Sequence, residues 1–284
     1  MKGAKLATKR NPDHKTIVDL TDRLAIGGSE VVVIGGPCTV ESQAQMDAIA
    51  AQLQHSIHAL RGGVYKPRTS PYAFQGMGAN GLDILAEVRR TSGLPVVTEV
   101  MAIHQIPEIL ETADMLQVGS RNMQNFDLLK ALGEIKKPVL LKRGLAATIE
   151  EFVMAAEYIM SYGNPNVVLC ERGIRSFDTY TRNVLDLGAV SALRQITHLP
   201  IIVDPSHAAG RRELIADLSR AAIACGADGL IIECHPEPDQ SVSDAQQALS
   251  LADMVELVKS VEAVAGAIGR KMHRRYAMPQ CVAA

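Results

Sequence analysis

The chain has 284 residues, 47% of them hydrophobic, and carries 29 Lys and Arg against 31 Asp and Glu. That length suits one α/β barrel domain of about 250 residues as well as two small domains, and the near balance of charge excludes an overall basic character that would point to nucleic acid or a membrane surface. No apolar run reaches the roughly 18 residues of a membrane span and no apolar signal core follows the basic first ten residues; the five cysteines (Cys38, Cys170, Cys225, Cys234, Cys281) are odd in number and scattered, so reduced thiols and a cytoplasmic location are expected.

Residues 1–30 are polar and irregular, with a short helix expected around 17–24, and read as an N-terminal extension. From residue 31 onward, short β-branched runs alternate with longer amphipathic stretches. Strands are expected at 31–38, 64–69, 94–100, 115–120, 138–143, 167–172, 199–205 and 229–235. These runs are apolar along their length and do not alternate, the pattern of parallel strands buried on both faces. Helices are expected at 42–58, opened by a Ser cap, and at 82–90, 149–160, 211–225 and 244–260, several ended by Ser-Gly, Tyr-Gly or Cys-Gly signals. Residues 262–284, with the basic run 271–276, form a tail whose charges read first as a solvated face. Eight βα units of one hand predict a single α/β domain, a closed (β/α)8 TIM barrel over residues 31–261. The competing fold, an open doubly wound sheet, ordinarily carries a G-x-G-x-x-G turn after its first strand, which Gly35-Gly36-Pro37-Cys38 lacks.

Active sites of such barrels stand at the C-terminal ends of the strands, and two groups of side chains collect there. Cys38, His207, Glu233 and Asp244 come from the first, seventh and eighth strands and the loop after the eighth. Closure makes them neighbours, and a thiolate, an imidazole and two carboxylates suit a divalent transition metal. Each alone is weaker: a single strand-end Cys is more often a small core residue, and Asp244 sits where it could cap the last helix. The second group is cationic: Lys66, Arg68, Arg121, Lys142, Arg143, Arg172 and Arg175. Seven cations around one mouth repel one another unless anions balance them. A substrate, or two, carrying phosphate and carboxylate is therefore expected, although one or two of the seven merely reach solvent.

Gly35-Gly36-Pro37-Cys38, Arg61-Gly62-Gly63 leading to Lys66-Pro67-Arg68-Thr69-Ser70-Pro71, Gly119-Ser120-Arg121-Asn122, Leu141-Lys142-Arg143-Gly144, Cys170-Glu171-Arg172-Gly173-Ile174-Arg175, Asp204-Pro205-Ser206-His207 and Glu233-Cys234-His235-Pro236-Glu237-Pro238 together resemble class I 3-deoxy-D-arabino-heptulosonate-7-phosphate (DAHP) synthase. The nearest form is its small bacterial and archaeal subclass without a fused regulatory domain, and the likeness runs from about residue 31 to about 258. It implies a shikimate-pathway transferase, a homo-oligomer (dimer or tetramer), that condenses phosphoenolpyruvate with erythrose 4-phosphate. It implies that Cys38, His207, Glu233 and Asp244 hold a divalent ion, Mn, Fe, Co or Zn. Arg121, Lys142 and Arg172 would hold phosphoenolpyruvate, with Arg61 and Lys66 near its carboxylate. Arg68 and Thr69 would meet the sugar phosphate. Lys66, Glu99 and His207 would stand at the reacting centre, with Lys66 as proton donor and Glu99 near the attacking water. With no fused domain implied, insensitivity to aromatic amino acids is expected.

Ser120 departs from the Ala common at its position, where its hydroxyl adds a hydrogen bond or fills space beside Arg121. Cys234 points away from the metal by strand alternation. The nearest rival is 3-deoxy-octulosonate-8-phosphate synthase, which uses arabinose 5-phosphate. It typically has Lys-Ala-Asn-Arg where this chain has Lys66-Pro67-Arg68-Thr69. A catalytically silent regulatory paralogue is a further alternative, disfavoured by the complete metal set.

Overall fold

A computed structural model describes residues 3–67 and 70–274. The chain begins as a strap along the outside, pinned where the Glu157 carboxylate accepts the backbone N–H groups of Lys5, Leu6 and Ala7 at 2.7–2.9 Å. Next come β1 (Val18–Thr21) and β2 (Leu24–Ile26), an antiparallel hairpin, where a helix was expected around residues 17–24. The reason is visible in Val18, Leu20, Leu24 and Ile26, which are buried and spaced by two either side of the Asp22-Arg23 turn. That is a strand period, not a helical one.

Eight parallel strands follow: β3 (Glu30–Gly36), β4 (Ala59–Arg61), β5 (Val96–Val100), β6 (Met115–Val118), β7 (Val139–Lys142), β8 (Val167–Glu171), β9 (Ile201–Val203) and β10 (Gly229–Glu233). Each pairs with the next, and β10 pairs with β3 over Gly229↔Val32 to Glu233↔Gly36, closing the barrel. The second barrel strand lies at Ala59–Arg61, ahead of the 64–69 run expected from sequence. It is only three residues long, and its two-residue ladders to β3 and β5 leave no periodic signal to read. The helices between strands are α1 (Gln43–Leu53), α2 (Ala79–Ser92), α3 (Ile106–Thr112), α4 (Phe126–Gly133), α5 (Ile149–Ser161), α6 (Leu187–Ile196), α7 (Pro205–Ala209), α8 (Ile215–Ala224) and α9 (Leu251–Ala267). Local chemistry starts several of them. Ser42, Asn125, Asp186 and Ser250 each accept a first-turn N–H, and Thr148 with Glu151 makes a reciprocal capping box. The last helix starts at Leu251 behind Ser250, so Asp244 caps nothing there and instead sits in the left-handed region at φ 55°.

The core forms two layers. One fills the space between barrel and helices. The other fills the barrel interior, where the hairpin residues Val18, Leu20, Leu24 and Ile26 pack against Val32, Ile34, Ala59, Val97, Met115, Leu140, Val168, Cys170, Ile202 and Ile231. The hairpin thus plugs the N-terminal end. At the same end β11 (Lys271–Met272) pairs with the start of β3, and Arg270 donates to the carbonyls of Gly28, Ser29, Glu30 and Ala227. Part of the basic 271–276 run is therefore sheet; its last two residues, Arg275 and Tyr276, lie outside the described ones. No helix among the described residues is long and apolar enough to cross a membrane.

Candidate active site

Side chains two apart on a strand share a face, so the apolar interior positions predict what stands above them. Val97 leads to Glu99, Met115 to Gln117, Leu140 to Lys142, Cys170 to Arg172, Ile202 to Asp204 and Ile231 to Glu233; Ala59 leads to Arg61, and Ile34, through Gly36, to Cys38. Every barrel strand changes from apolar to polar at one level, and the C-terminal mouth is that ring of polar groups. Gly36 and Gly119 make the ring possible. A Cβ on Gly36 would meet the Arg61 carbonyl oxygen at 2.1 Å, and one on Gly119 would meet Glu99 Oε1 at 2.1 Å.

The ligand atoms of Cys38, His207, Glu233 and Asp244 all lie within 4.8 Å of one another. Cys38 Sγ is 3.4 Å from Asp244 Oδ2 and 3.8 Å from His207 Nε2, which is 3.6 Å from Glu233 Oε2. Ligands at about 2.0–2.3 Å from a tetrahedral ion stand about 3.3–3.8 Å apart, so the spacing fits. Glu233 Oε1 is buried with no partner among the described residues, an acceptor left for a cation. Glu233 Oε2 accepts from Gln247 Nε2 at 2.7 Å, and the Glu233 N–H donates to Ser206 Oγ at 2.9 Å. Burial pushes the Glu233 carboxyl up to about 7 and raises the Cys38 thiol, although Lys66 beside the sulfur opposes the second shift. A metal ion reverses both by preferring the ionised forms. Burial holds His207 neutral against the pull of Asp204. Its Nδ1–H lies against the Asp204 carboxylate, hydrogen-bonded to Oδ1 at 3.2 Å and 2.9 Å from Oδ2, which leaves the Nε2 lone pair facing the other ligand atoms.

Beside this quartet opens a cavity of about 470 Å3 lined by Cys38, Arg61, Lys66, Glu99, Gln117, Ser120, Arg121, Lys142, Arg172, Arg175, Arg182, Asn183, His207 and Asp244 among others. The site residues expected from sequence thus meet in one place, apart from Arg68 and Thr69, which lie outside the described residues, Glu233, which is absent from the cavity lining, and Arg143, which faces outward. Lys66 Nζ donates to Cys38 O at 2.8 Å and lies 2.9 Å from Cys38 Sγ, at the boundary between the quartet and the cations. Arg61 NH1 and Glu99 Oε1 are buried without partners among the described residues, while Glu99 Oε2 accepts from Gln117 at 3.1 Å. Arg172 is buried, and its guanidinium donates to the carbonyls of Gly173 and His207 at 3.4 and 3.1 Å. Burial pulls it below its ordinary pKa; a bound anion offsets that cost.

Arg143 corrects the expectation. It points outward from β7, where NH1 pairs with Glu171 at 2.8 Å and Asp186 at 3.1 Å and Nε donates to Ala147 O. It stitches β7, β8 and α6 together and takes no part in the mouth. Glu171, one residue from Arg172, faces outward by the same alternation. Cys234 is buried in the outer core layer, away from the quartet. Cys38, Cys170, Cys225 and Cys234 are free thiols; Cys281 lies outside the described residues. Sequence reasoning missed Gln117, Arg182, Asn183, Ser206 and Gln247. Arg182 bridges Asp244 Oδ1 at 3.1 Å and Gln247 Oε1 at 3.2 Å. Of these, Gln117 carries a usable signal in the sequence, as the residue two beyond an interior Met.

A family model described as the DAHP synthetase I family matches residues 15–268. The chain is 48% identical over 274 residues to a phospho-2-dehydro-3-deoxyheptonate aldolase of Thermotoga maritima, covering 96% of this chain and 81% of that one. It is 34% identical over 273 residues to a 2-dehydro-3-deoxyphosphooctonate aldolase of Syntrophotalea carbinolica, covering 89% of this chain and 96% of the other. A crystal structure of the DAHP synthase from T. maritima superposes with a TM-score of 0.91 at 47% identity, over 96% of this chain and 79% of that chain. A truncated form from the same organism gives 0.88 at 45% identity, over 94% and 98%.

Proposed function

The chain belongs to the DAHP synthetase I family, and from that premise we propose that it is a transferase, a 3-deoxy-7-phosphoheptulonate synthase, condensing phosphoenolpyruvate with erythrose 4-phosphate to give DAHP and inorganic phosphate. The observation that carries the reading is the position of Lys66, between a four-donor cation site and a cavity lined with arginine and lysine.

The residues divide the work. Lys142 and Arg172 from the barrel wall, with Arg121 at the rim, take the phosphate of phosphoenolpyruvate, and Arg61 NH1, without a partner among the described residues, takes its carboxylate. Holding two polyanions in register is a large part of the catalysis. Cys38, His207, Glu233 and Asp244 hold a divalent ion, for which Mn, Fe, Co and Zn are candidates. When bound, it supplies a Lewis acid for the aldehyde carbonyl. Lys66 Nζ gives a proton to the alkoxide that develops as the enol carbon attacks. Bond formation leaves positive character at the former enol carbon, and Glu99 Oε1 accepts a proton from the water that adds there. The resulting hemiketal phosphate breaks its C–O bond and releases phosphate. Arg68 and Thr69 are assigned to the far phosphate of the aldehyde.

The greater identity to the heptonate enzyme than to the octonate one, 48% against 34%, supports the four-carbon aldehyde. The intact quartet argues against a silent paralogue. The test is a product assay with added manganese. Turnover of erythrose 4-phosphate well above that of arabinose 5-phosphate is expected, and the reverse preference overturns the reading.

A further inference from the structure

Asp204 touches both halves of the site. It ends β9, is fully buried, and caps α7, with Oδ1 accepting the His207 backbone N–H at 2.9 Å. Its Oδ2 meets Lys142 Nζ at 2.5 Å, and the His207 Nδ1 lies against both oxygens, hydrogen-bonded to Oδ1 at 3.2 Å and 2.9 Å from Oδ2. Lys142 faces the cavity. The other nitrogen of His207 faces the sulfur of Cys38 and the carboxylate of Glu233. One buried carboxylate is therefore shared between a lysine assigned to phosphate and an imidazole assigned to metal.

We infer that Asp204 is a positioning residue that couples the two occupants, so that an anion against Lys142 and a divalent cation at His207 each strengthen the binding of the other through this carboxylate. The inference rests on the proposed reading of the quartet and the cavity. The physical argument is competition for one acceptor. With the cavity free of anion, the charge of the carboxylate is divided between Lys142 and the imidazole N–H. An anion at Lys142 draws the ammonium's charge toward itself and leaves the carboxylate more fully to the imidazole. A stronger acceptor at Nδ1–H makes Nε2 a better electron-pair donor, the usual effect of a carboxylate behind a ligating histidine. Binding coupling is reciprocal, so a cation at Nε2 must favour the anion by the same factor.

Asp204→Asn isolates this role. The amide keeps the size and the helix cap, since Asn caps as well as Asp. With its oxygen held by the His207 N–H, its nitrogen replaces Oδ2 and presents N–H to Lys142, which loses its acceptor. His207 Nδ1 keeps only a neutral amide oxygen, a weaker acceptor than a carboxylate, and Nε2 becomes a poorer electron-pair donor.

The experiment uses purified full-length wild-type and Asp204→Asn protein stripped of metal. Manganese and cobalt affinities are measured by calorimetry, with the cobalt–thiolate absorption as a second signal, with and without inorganic phosphate. For the wild type, phosphate should tighten the metal about fivefold or more, at the lower end of ordinary coupling. For Asp204→Asn, metal affinity should fall about 10- to 100-fold and the phosphate effect should shrink toward none. Wild-type metal affinity in the variant, or an undiminished phosphate effect, overturns the inference while leaving the proposed function intact. A wild-type protein that binds no metal overturns both. Should the variant fail to fold, the wild-type titration still decides: metal affinity indifferent to phosphate refutes the coupling.

Discussion

The two ends of the barrel are built from the same eight strands and have opposite character. At the N-terminal end Val18, Leu20, Leu24 and Ile26 of the β1–β2 hairpin close the interior with apolar side chains, and Arg270 ties down the carbonyls around the start of β3. At the C-terminal end the interior positions turn polar within one residue pair, and buried atoms such as Arg61 NH1, Glu99 Oε1 and Glu233 Oε1 have no partner among the described residues. One end is satisfied by its own chain and the other is completed by what binds it. The difference teaches where each kind of damage should be felt: stability below, turnover above.

The largest expected effect tests the upper end. Stripping metal with a chelator should abolish turnover, by about a thousandfold or more if Lewis-acid activation supplies several kcal/mol, with far-UV dichroism unchanged and activity restored by a divalent ion. Full turnover in rigorously metal-free protein would sink the assignment of Cys38, His207, Glu233 and Asp244. Next comes the lower end. Ile26 is fully buried in the plug, and Ile26→Ala should cost about 2–5 kcal/mol of stability, read by denaturant unfolding, with kcat/KM for both substrates close to wild type. A mutant of normal stability with impaired turnover would break the division between the ends.

Within the mouth, Arg172→Ala and Arg121→Ala should each raise the KM for phosphoenolpyruvate about 10- to 100-fold, the loss of a charged hydrogen bond at about 1.5–3 kcal/mol, and that for the aldehyde much less. Arg68→Ala should show the opposite bias. Equal effects on both substrates in all three would refute the division of the cations between two anions.

The smallest effect concerns the strap. Burial pulls the His198 imidazole below its ordinary pKa. It accepts from Thr16 Oγ1 at Nδ1 and donates from Nε2 to Leu6 O, both at 2.6 Å, so it is seated neutral. With a folded value below the unfolded one of about 6.5, the unfolded form takes up the proton first as pH falls. Docking of the strap is then fully present above that value and is lost progressively below it, toward the folded pKa. Amide exchange at residues 5–7, corrected for the intrinsic rate, should accelerate between about pH 7.5 and pH 5.5, and His198→Asn should flatten that dependence. Constant protection across the range would show that docking of the strap does not depend on the charge state of His198.

The architecture was legible because barrel strands such as those at Val139–Lys142 and Val167–Glu171 are apolar on both faces. The mouth was legible because its charges fall at their ends. What escaped was local. β4 is too short to show a period. The hairpin's alternation was overlooked among the surrounding polar residues. Arg143 was placed in the mouth with Lys142, although adjacent strand residues must face opposite ways, the same alternation that read Cys234 correctly. Strand alternation places Gln117 and Asp204 in the mouth, but their roles, like that of Gln247, depend on which partner lies within hydrogen-bond reach across the barrel, and no local pattern encodes that.

The packed interior also governs traffic. A barrel closed below is a blind well, and both reactants and both products must pass one opening. Lys142 and Arg172 line it in depth, whereas Arg121 and Arg175 stand exposed at its lip. On the proposed assignment the reactant that seats against the deeper pair enters ahead of the one that covers it, and the order follows from depth in the mouth above an interior packed by strand and hairpin side chains alike.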